Sequence, residues 1–511
     1  MTPTTLGSIS REHRRSYPTG IAVVDDRYRL TWPEFDDRIN RAAHALQSAG
    51  VGVGDRVLWL GQTSFRVFEL MGACAKLGAM VCPANWRQSG EEFAFVIDDF
   101  DPKVVVWQEE EIGDAARAAR KLTQRDPVWW QHDAEGEGTY ESVLAAHGTD
   151  DPWGPVDVTL PLLVIYTAAI GGKPNGSLLT QRNLLAMAHE SSYLTRSTSD
   201  SVFLNSGPLF HIGNFQWDAL AVYVQGGTNV FVRRVEADAV LEIITREGVT
   251  SAFLMPPTIM QMTQLYDPAA HDVSKLRGGA FTPLWNGLLA EDTTLWGSLP
   301  GGFGQTEVSG LAVVNGHGGR GIGNAGRPSP LVQVRIVDAD GKELPVGESG
   351  EIVIAGDVVH AGYWNRPEIN AERMRDGWWH TTDLGRREQD GTIHFLGTMT
   401  RMIKSAAENI YPVEVETCLE QHPAVREAAL IGVPDPQFTQ SVKAVVSLVD
   451  GAEVTADELI EHCRQLIASY KKPRSVEFVS EIPKRGGAKD YDALDAQFGG
   501  GGYPGGDNVR A

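Results

Sequence analysis

Cysteine is scarce in this chain: there are four in 511 residues, Cys74, Cys82, Cys418 and Cys463, and no two form a CxxC pair. That excludes a disulfide-stapled scaffold and a thiolate metal cluster. Cys74 and Cys82, set among apolar neighbours, read as small buried hydrophobes, and a reducing cytoplasmic setting is expected. Long hydrophobic runs are missing too. No apolar stretch approaches the ~18 residues that span a bilayer, and the opening MTPTTLGSISREHRRS has no apolar core of a leader, so neither an integral membrane segment nor a signal peptide is expected. Basic charge is in deficit, 45 residues against 66 acidic ones for a net charge of -21, which argues against nucleic acid or an anionic membrane as partner. A basic pocket within an acidic shell is still allowed. There is no internal repeat. What is there, 42% hydrophobic and 22% charged residues, is an ordinary globular composition, and the length calls for two or three domains.

The first hundred residues alternate strand and helix. Ile21–Val24 is β-branched; Thr31-Trp-Pro-Glu34 is a capping box with proline in the first turn, and Phe35, Ile39, Ala42, Ala43 and Leu46 recur at helical spacing until Gly50. Arg56–Leu60 and Met80–Cys82 read as strands around a helix Phe65–Leu77. Such βαβ alternation implies a mostly parallel sheet with helices on both faces. His132–Val156, polar and rich in Gly and Asp, reads as a surface loop. Pro161–Thr167 reads as a buried strand running into Ala168-Ala-Ile-Gly-Gly-Lys-Pro-Asn-Gly176. A strand feeding a glycine-rich turn can offer backbone N–H groups to phosphate, and a hairpin-like surface turn explains it equally well. Ser251–Met255 reads as another buried strand, closed by Pro256-Pro257.

Three further segments carry polar chemistry. Pro208-Leu-Phe-His211-Ile-Gly213-Asn-Phe215 places a histidine among aromatics, either as a satisfied core residue or in the wall of an organic-acid pocket. Gly301-Gly-Phe303-Gly-Gln-Thr306-Glu307 sets an aromatic, a hydroxyl and a carboxylate within five residues, suited to stacking a base, binding a phosphate oxygen and holding Mg2+. Asp376-Gly-Trp-Trp-His-Thr-Thr-Asp383-Leu-Gly385 then leads through Arg401 and Lys404 to a helix start at Pro412. From about Gly326 to Gly397 short β-type runs with Asp-Gly turns predict an antiparallel subdomain. Beyond Thr400, alternating helix and strand signals predict a compact α+β unit ending in a basic loop, Pro483–Lys489, and a glycine-rich tail from Gly499 expected to be disordered.

In this order these segments resemble the adenylate-forming superfamily of acyl-CoA synthetases, peptide-synthetase adenylation domains and firefly luciferase. The motifs are Gly-Phe-Gly-Gln-Thr-Glu at 302–307, Gly350–Gly356 followed by Gly362-Tyr-Trp364, Trp379–Gly385, Glu408–Glu416, Gly432-Val-Pro-Asp435, Tyr470-Lys-Lys-Pro473, and Lys489 six residues after Pro483. The fold implied is α/β: a large N-terminal domain of two α/β subdomains plus a β-subdomain over 1–399, and a small mobile α+β domain over 400–498, with 499–511 as tail. The activity implied is AMP-forming acyl-CoA synthesis in two half-reactions, with ATP, Mg2+ and CoA used and a small-molecule carboxylic acid as substrate; a homodimer is left open. By resemblance Lys489, Thr306 and Glu307 are catalytic, with Glu307 on Mg2+. Thr167, Gly171, Gly172, Lys173, Gly176, Gly279, Ala280, Phe303, Gly304 and Asp383 bind nucleotide, Asp383 through the ribose. His211, Gly213, Phe215, Trp217 and Trp285 line an acyl pocket, and Arg401, Lys404, Ala406 and Ala407 form the hinge and CoA approach.

The chain departs from the family at four places. The phosphate loop carries Ala168, Ile170 and Gly171 where small hydroxylic residues are usual, and Asn175 in place of a lysine; Lys173 is the nearest substitute charge. Thr398 replaces an arginine, and Ala406-Ala407 replaces Gly-Gly, narrowing the thiol's approach. Arg401, where the family often has Asp or Lys, is compatible. The roomy aromatic pocket suits fatty, aromatic or polycyclic acids alike. Alternatives are an enzyme that loads a carrier protein or makes an amide, a non-catalytic nucleotide- or acyl-binding relative, and a luciferase-like oxygenase.

Overall fold

The computed structural model describes residues 4–167, 173–277, 282–298, 300–318, 324–399, 402–406, 408–485 and 488–503. Thr31 caps the helix Trp32–Ser48 with Glu34 answering reciprocally, as the capping box predicts. Its apolar face, from Phe35 to Leu46, is fully buried. Arg56–Leu60 lies between Met80–Pro83 and Val104–Trp107 in parallel register, the core of a six-stranded sheet whose far edge is Pro161–Thr167 and Asn175–Thr180. A second, five-stranded sheet runs Ser251–Ala252, Val202–Asn205, Thr228–Phe231, Ile21–Val24, Arg29–Thr31.

The helix Arg66–Leu77 is buried along its whole length. Three charges go in with it, and all are matched; Arg66, at its start, donates to Glu141 at 2.6 Å. Lys76 Nζ donates to Asp36 at 2.9 Å and Asn40 at 2.5 Å, while Glu69 accepts from Arg38 and from the Tyr140 hydroxyl. Unpaired, any of them would be far more costly to bury than a hydrogen-bonded one.

An eight-stranded, mainly antiparallel sheet follows. Its path runs Gly302–Gln305, Gly310–Val314, Asn324–Pro328, Ile393–Thr398, Trp378–Arg387, Ser349–Gly356, Val332–Val337. It stands where the Asp-Gly turns predicted a β-subdomain, and it reaches back to take in the Gly-Phe-Gly-Gln segment. The small domain packs helices Pro412–Glu420 and Ala456–Leu466 on a sheet of its own, centred on Thr439–Leu448 between Val425–Asp435 and Ser475–Val479.

Three expectations are corrected. Ser251–Met255 is not a buried strand: only Ser251–Ala252 pairs, and Met255 is exposed, because the stretch lies at the edge of its sheet. His132–Val156 is not all surface loop: Tyr140–Ala145 is a helix whose Tyr140 and Leu144 reach the core, and Glu141 binds Arg38 and Arg66. The tail is ordered as far as it is described: Gly501 N donates to Gly432 O, and the Tyr503 hydroxyl joins Gly432 N to Asp495. Gly432-Val-Pro-Asp435 is thus anchored by residues whose glycine-rich composition suggested disorder.

Candidate functional site

The β-subdomain delivers four of the predicted side chains, Phe303, Thr306, Glu307 and Asp383, to one cavity of about 740 Å³. Gly302–Gln305 forms its floor as an edge strand, and the closeness of the neighbouring strand requires glycine: a Cβ on Gly304 would lie 1.8 Å from Gly310 O. Phe303 lines the cavity and stacks on Phe395, ring centroids 5.4 Å apart. The chain then tightens into the turn Thr306–Val308, which aims Thr306 and Glu307 inward.

Glu307 accepts from the Tyr363 hydroxyl at 2.7 Å and from Thr167 at 3.4 Å, both on Oε1, while Oε2 enters no hydrogen bond or ion pair among the described residues. An inward carboxylate beside two hydroxyls suits Mg2+, which commonly takes one or two carboxylates and completes its shell with water and phosphate oxygens. No cluster of three or more metal-ligating side chains occurs among the described residues.

Asp383 sits on the opposite wall, in Trp378–Arg387, and accepts from Gln305 Nε2 at 2.5 Å. Burial pushes its carboxyl up to about 7; the Gln305 bond and Arg373 pull it down, and Glu307 and Glu351 add to the rise. The preceding residue, Thr382, has φ +57, in the left-handed region that β-branched residues avoid. Its N–H is tied to Glu351 Oε1 at 2.9 Å and its carbonyl accepts from Met399 N at 2.7 Å.

Lys173 and Asn175 reach the same cavity from the turn after Pro161–Thr167. The hairpin and phosphate-loop readings are compatible, since Pro161–Thr167 and Asn175–Thr180 pair antiparallel while Thr167 and Lys173 face inward. Asn175, in place of lysine, accepts from Arg366 Nε at 2.9 Å. Gly176 lies in the strand, and its lack of a side chain makes room for Tyr166. Gly171, Gly172, Gly279, Ala280, Arg401 and Ala407 lie outside the described residues.

The small domain closes the fourth side with Met402, Lys404, Asn409 and Tyr411. Lys404 donates to Asn409 at 2.7 Å, and burial lowers its pKa. Ala406 stands at φ +54, so the alanine occupies a backbone position suited to glycine. This domain is tied to the large one through residues 85–92. Arg87 pairs with Glu408 at 2.7 Å, and Ser89 donates to Leu466 O at 2.9 Å. Lys471 bridges Glu92 at 2.8 Å and its own domain's Glu414 at 2.6 Å.

Lys489 is absent from the cavity. Its Nζ donates to Glu416 at 2.9 Å, Glu420 at 3.3 Å and Ala428 O at 2.6 Å; burial works against its charge, and the two carboxylates outweigh that and raise its pKa. The structure therefore does not bring Lys489 and Asp383 together.

The acyl-pocket candidates are divided. Phe215 is wholly buried and stacks on Phe68 at 5.1 Å, and Trp285 is buried in a separate cluster around Val240 and Met262. Both are core residues. Gly213 N donates to His211 Nδ1 at 3.2 Å, a local cap. His211 is exposed and does not line the cavity, yet the surrounding protein, with Lys404 and then Arg87, pushes its pKa down to about 4. Trp217 packs on Trp296, centroids 4.6 Å apart. Sequence reasoning missed four cavity residues: Gln305 and Tyr363 stand inside recognised motifs but were assigned no role, while Arg373, at the end of a helix, and Phe395, in a strand, carry no local signal.

Two family models match the chain: AMP-binding enzyme over residues 10–364, and AMP-binding enzyme C-terminal domain over 414–489. A feruloyl-CoA synthase from an Amycolatopsis species is 35% identical over 490 residues, covering 95% of this chain and 97% of its own. A fatty acid–[acyl-carrier-protein] ligase from Streptomyces coeruleorubidus is 31% identical, covering 95% of this chain and 94% of its own. Among solved structures, an amide bond synthetase from Marinactinospora thermotolerans superposes with TM-score 0.81 at 25% identity, over 97% of this chain and 100% of its own. No helix among the described residues is long and apolar enough to cross a membrane.

Proposed function

The chain belongs to the AMP-binding enzyme family, the adenylate-forming superfamily, and on that premise we propose that it activates an aromatic carboxylic acid with ATP and passes the acyl group to coenzyme A. The observation that carries this reading is the composition of the cavity. Carboxylates and hydroxyls of the large domain, Asp383, Glu307, Thr167 and Thr306, meet Lys404, Asn409 and Tyr411 of the small one.

In the first half-reaction a carboxylate oxygen of the acid attacks the α-phosphorus of ATP, and the bond to pyrophosphate breaks. The residues bind and orient two anions; no enzyme nucleophile is needed. Glu307 would hold Mg2+, whose charge offsets that of the triphosphate. Asp383 takes the ribose hydroxyls, Phe303 and Phe395 pack the adenine, and Lys173 supplies charge in place of the family's lysine at position 175. In the second half-reaction the CoA sulfur attacks the acyl carbon, a thioester bond forms, and the bond to AMP breaks. The arrangement described here, with Lys404 inward and Lys489 outward, suits this second step. Lys489 serves the first after the small domain turns.

The relationship to a feruloyl-CoA synthase supports an aromatic acid. The test is a panel of acids with ATP, Mg2+ and CoA, followed by AMP release. Turnover on aromatic acids is expected, with Lys489→Ala losing acid-dependent pyrophosphate exchange; a folded protein inactive on every acid refutes the reading. A second reading, transfer to a carrier protein or amine, is favoured by the carrier-protein ligase and the amide bond synthetase among its relatives. It predicts pyrophosphate exchange without CoA-dependent AMP release.

A further inference from the structure

The cavity is lined by three carboxylates, Glu307, Glu372 and Asp383, and, among the described residues, by four cations, Lys173, Arg366, Arg373 and Lys404. Three of the cations are engaged elsewhere. Arg366 pairs with Asp99 at 2.9 Å and donates to Asn175, Lys173 lies over the Phe95 ring at 5.6 Å, and Lys404 belongs to the small domain, where it donates to Asn409. Arg373 is different. Among the described residues it forms no ion pair, and its one hydrogen bond runs from Nη1 to His380 O at 3.2 Å, leaving Nε and Nη2 with no protein partner there.

The local fold explains why it lines the cavity. Arg373 ends the helix Pro367–Arg373, and Met374–Arg375 then pairs antiparallel with Trp378–Trp379 across a tight turn in which Asp376 and Gly377 have φ +52 and +80. That hairpin sets Arg373 across from His380, three residues before Asp383. Arg375, two residues on, is engaged by His380 Nδ1 and by Glu351 at 3.7 Å. Burial raises the pKa of Asp383, Tyr363 and Tyr411, and the Arg373 charge counters the rise at each, so the guanidinium stands within reach of all three. Thr398, where the chain lacks an arginine usual in its family, faces Asp383 in register on the neighbouring strand and lines the same cavity. The charge missing from that strand is present on the hairpin across the cavity.

We propose that Arg373 binds the α-phosphate of the nucleotide and of the acyl-adenylate, in the role of the arginine that Thr398 replaces. On the ligase reading, on which this rests, Asp383 takes the ribose and Glu307 holds Mg2+, and the two carboxylates are near enough for Glu307 to add to the rise in the Asp383 pKa. The α-phosphate joins the ribose to the phosphates that Mg2+ neutralises, so it falls between them. An anion set between two carboxylates is repelled unless a cation meets it, and a guanidinium offers parallel N–H groups to its two free oxygens. Arg373 is on the large domain, so it stays with this phosphate through both half-reactions, whereas Lys404 and Lys489 come and go with the small domain.

The test measures binding of AMP and of adenosine by calorimetry, in wild type, Arg373→Met, and Arg373→Met combined with Thr398→Arg. A pH of 8.5 keeps Asp383, whose carboxyl is pushed up to about 7, ionised throughout. Wild type should prefer AMP to adenosine by at least about tenfold, and Arg373→Met should weaken AMP by about 10- to 100-fold while changing adenosine by less than about threefold. Thr398→Arg should restore AMP binding in that variant by at least about threefold; no recovery overturns the exchange of roles with position 398. A merely structural role would weaken both ligands together and leave their ratio intact. Should Arg373→Met not fold, Arg373→Gln keeps a donor for His380 O and serves in its place. An unchanged ratio in the variant, or a wild type with no preference for AMP, overturns the proposal. Acid-dependent pyrophosphate exchange by the wild type, measured alongside, tests the ligase reading separately: exchange with an unchanged ratio leaves that reading standing, and neither exchange nor AMP binding refutes both.

Discussion

Asp383 should destabilise the ligand-free protein, and Asp383→Asn should reveal by how much. Its carboxyl is about 6% exposed and is pushed from an ordinary 3.8 to about 7, chiefly by burial. A group whose pKa is raised on folding favours the folded state only while it is protonated. The handicap therefore begins as pH rises past about 4 and is complete above about 7. The difference corresponds to about 1.5 kcal/mol at pH 5 and about 4 kcal/mol at pH 8. Asparagine keeps an oxygen to accept from Gln305 Nε2 and carries no charge to desolvate. Urea unfolding should thus show the variant more stable by about 2–4 kcal/mol at pH 8 and nearly level with wild type at pH 4. The same change should weaken AMP binding by at least tenfold at pH 8, because two ribose hydroxyls lose an ionised acceptor. A variant less stable than wild type at pH 8, or one that binds AMP equally well, refutes the assignment.

Two other changes test the walls of the cavity. Thr382→Gly removes a β-branched side chain from φ +57, a strain of about 1–2 kcal/mol partly offset by the greater freedom of glycine in the unfolded chain; a net gain of about 0.5–1 kcal/mol in urea unfolding is expected, and a loss would mean that Thr382 is not strained. Glu92→Gln takes away the charge with which the large domain holds Lys471 and leaves only an amide oxygen to accept from it, while Glu414 still satisfies that lysine. The ion-pair part of this bond, about 1 kcal/mol, is lost from one domain arrangement only, so pyrophosphate exchange should rise relative to CoA-dependent thiolysis of supplied acyl-adenylate, and an unchanged ratio would show that residues 85–92 do not hold the domain in place.

The strands were legible because their β-branched runs lie between turn residues: Arg56–Leu60 and Ser475–Val479 fall where the pattern puts them. Ser251–Met255, an apolar run with no β-branched residue, failed as a buried strand, since an edge position is set by tertiary neighbours that a local window does not contain. The cavity was legible where one segment supplies several of its lining residues, as with Phe303, Thr306 and Glu307. It was illegible where function comes from long-range proximity. Tyr363 meets Glu307 across 56 residues and Gln305 meets Asp383 across 78, and neither partner announces the other. Trp285 misled for a similar reason: an aromatic near an apolar segment looks the same in a pocket wall as in a core.

Where Lys489 lies says what domain rotation must overcome. It is held by Glu416, Glu420 and Ala428 O, all on the small domain, so these bonds travel with it and do not oppose rotation as such. What does oppose it is the set of contacts that cross between domains, Arg87 to Glu408, Ser89 to Leu466 and Glu92 to Lys471. The Lys489 bonds enter only at the end of the movement, when the lysine must exchange two carboxylates for the anionic oxygens of substrate and nucleotide. That exchange is nearly balanced in charge, which lets bound ATP and acid draw Lys489 inward, whereas an empty cavity offers it nothing in return. On the proposed two-step reaction, the arrangement that brings Lys489 inward is separated from this one by a few polar contacts on residues 85–92, and occupancy of the cavity is expected to decide between them.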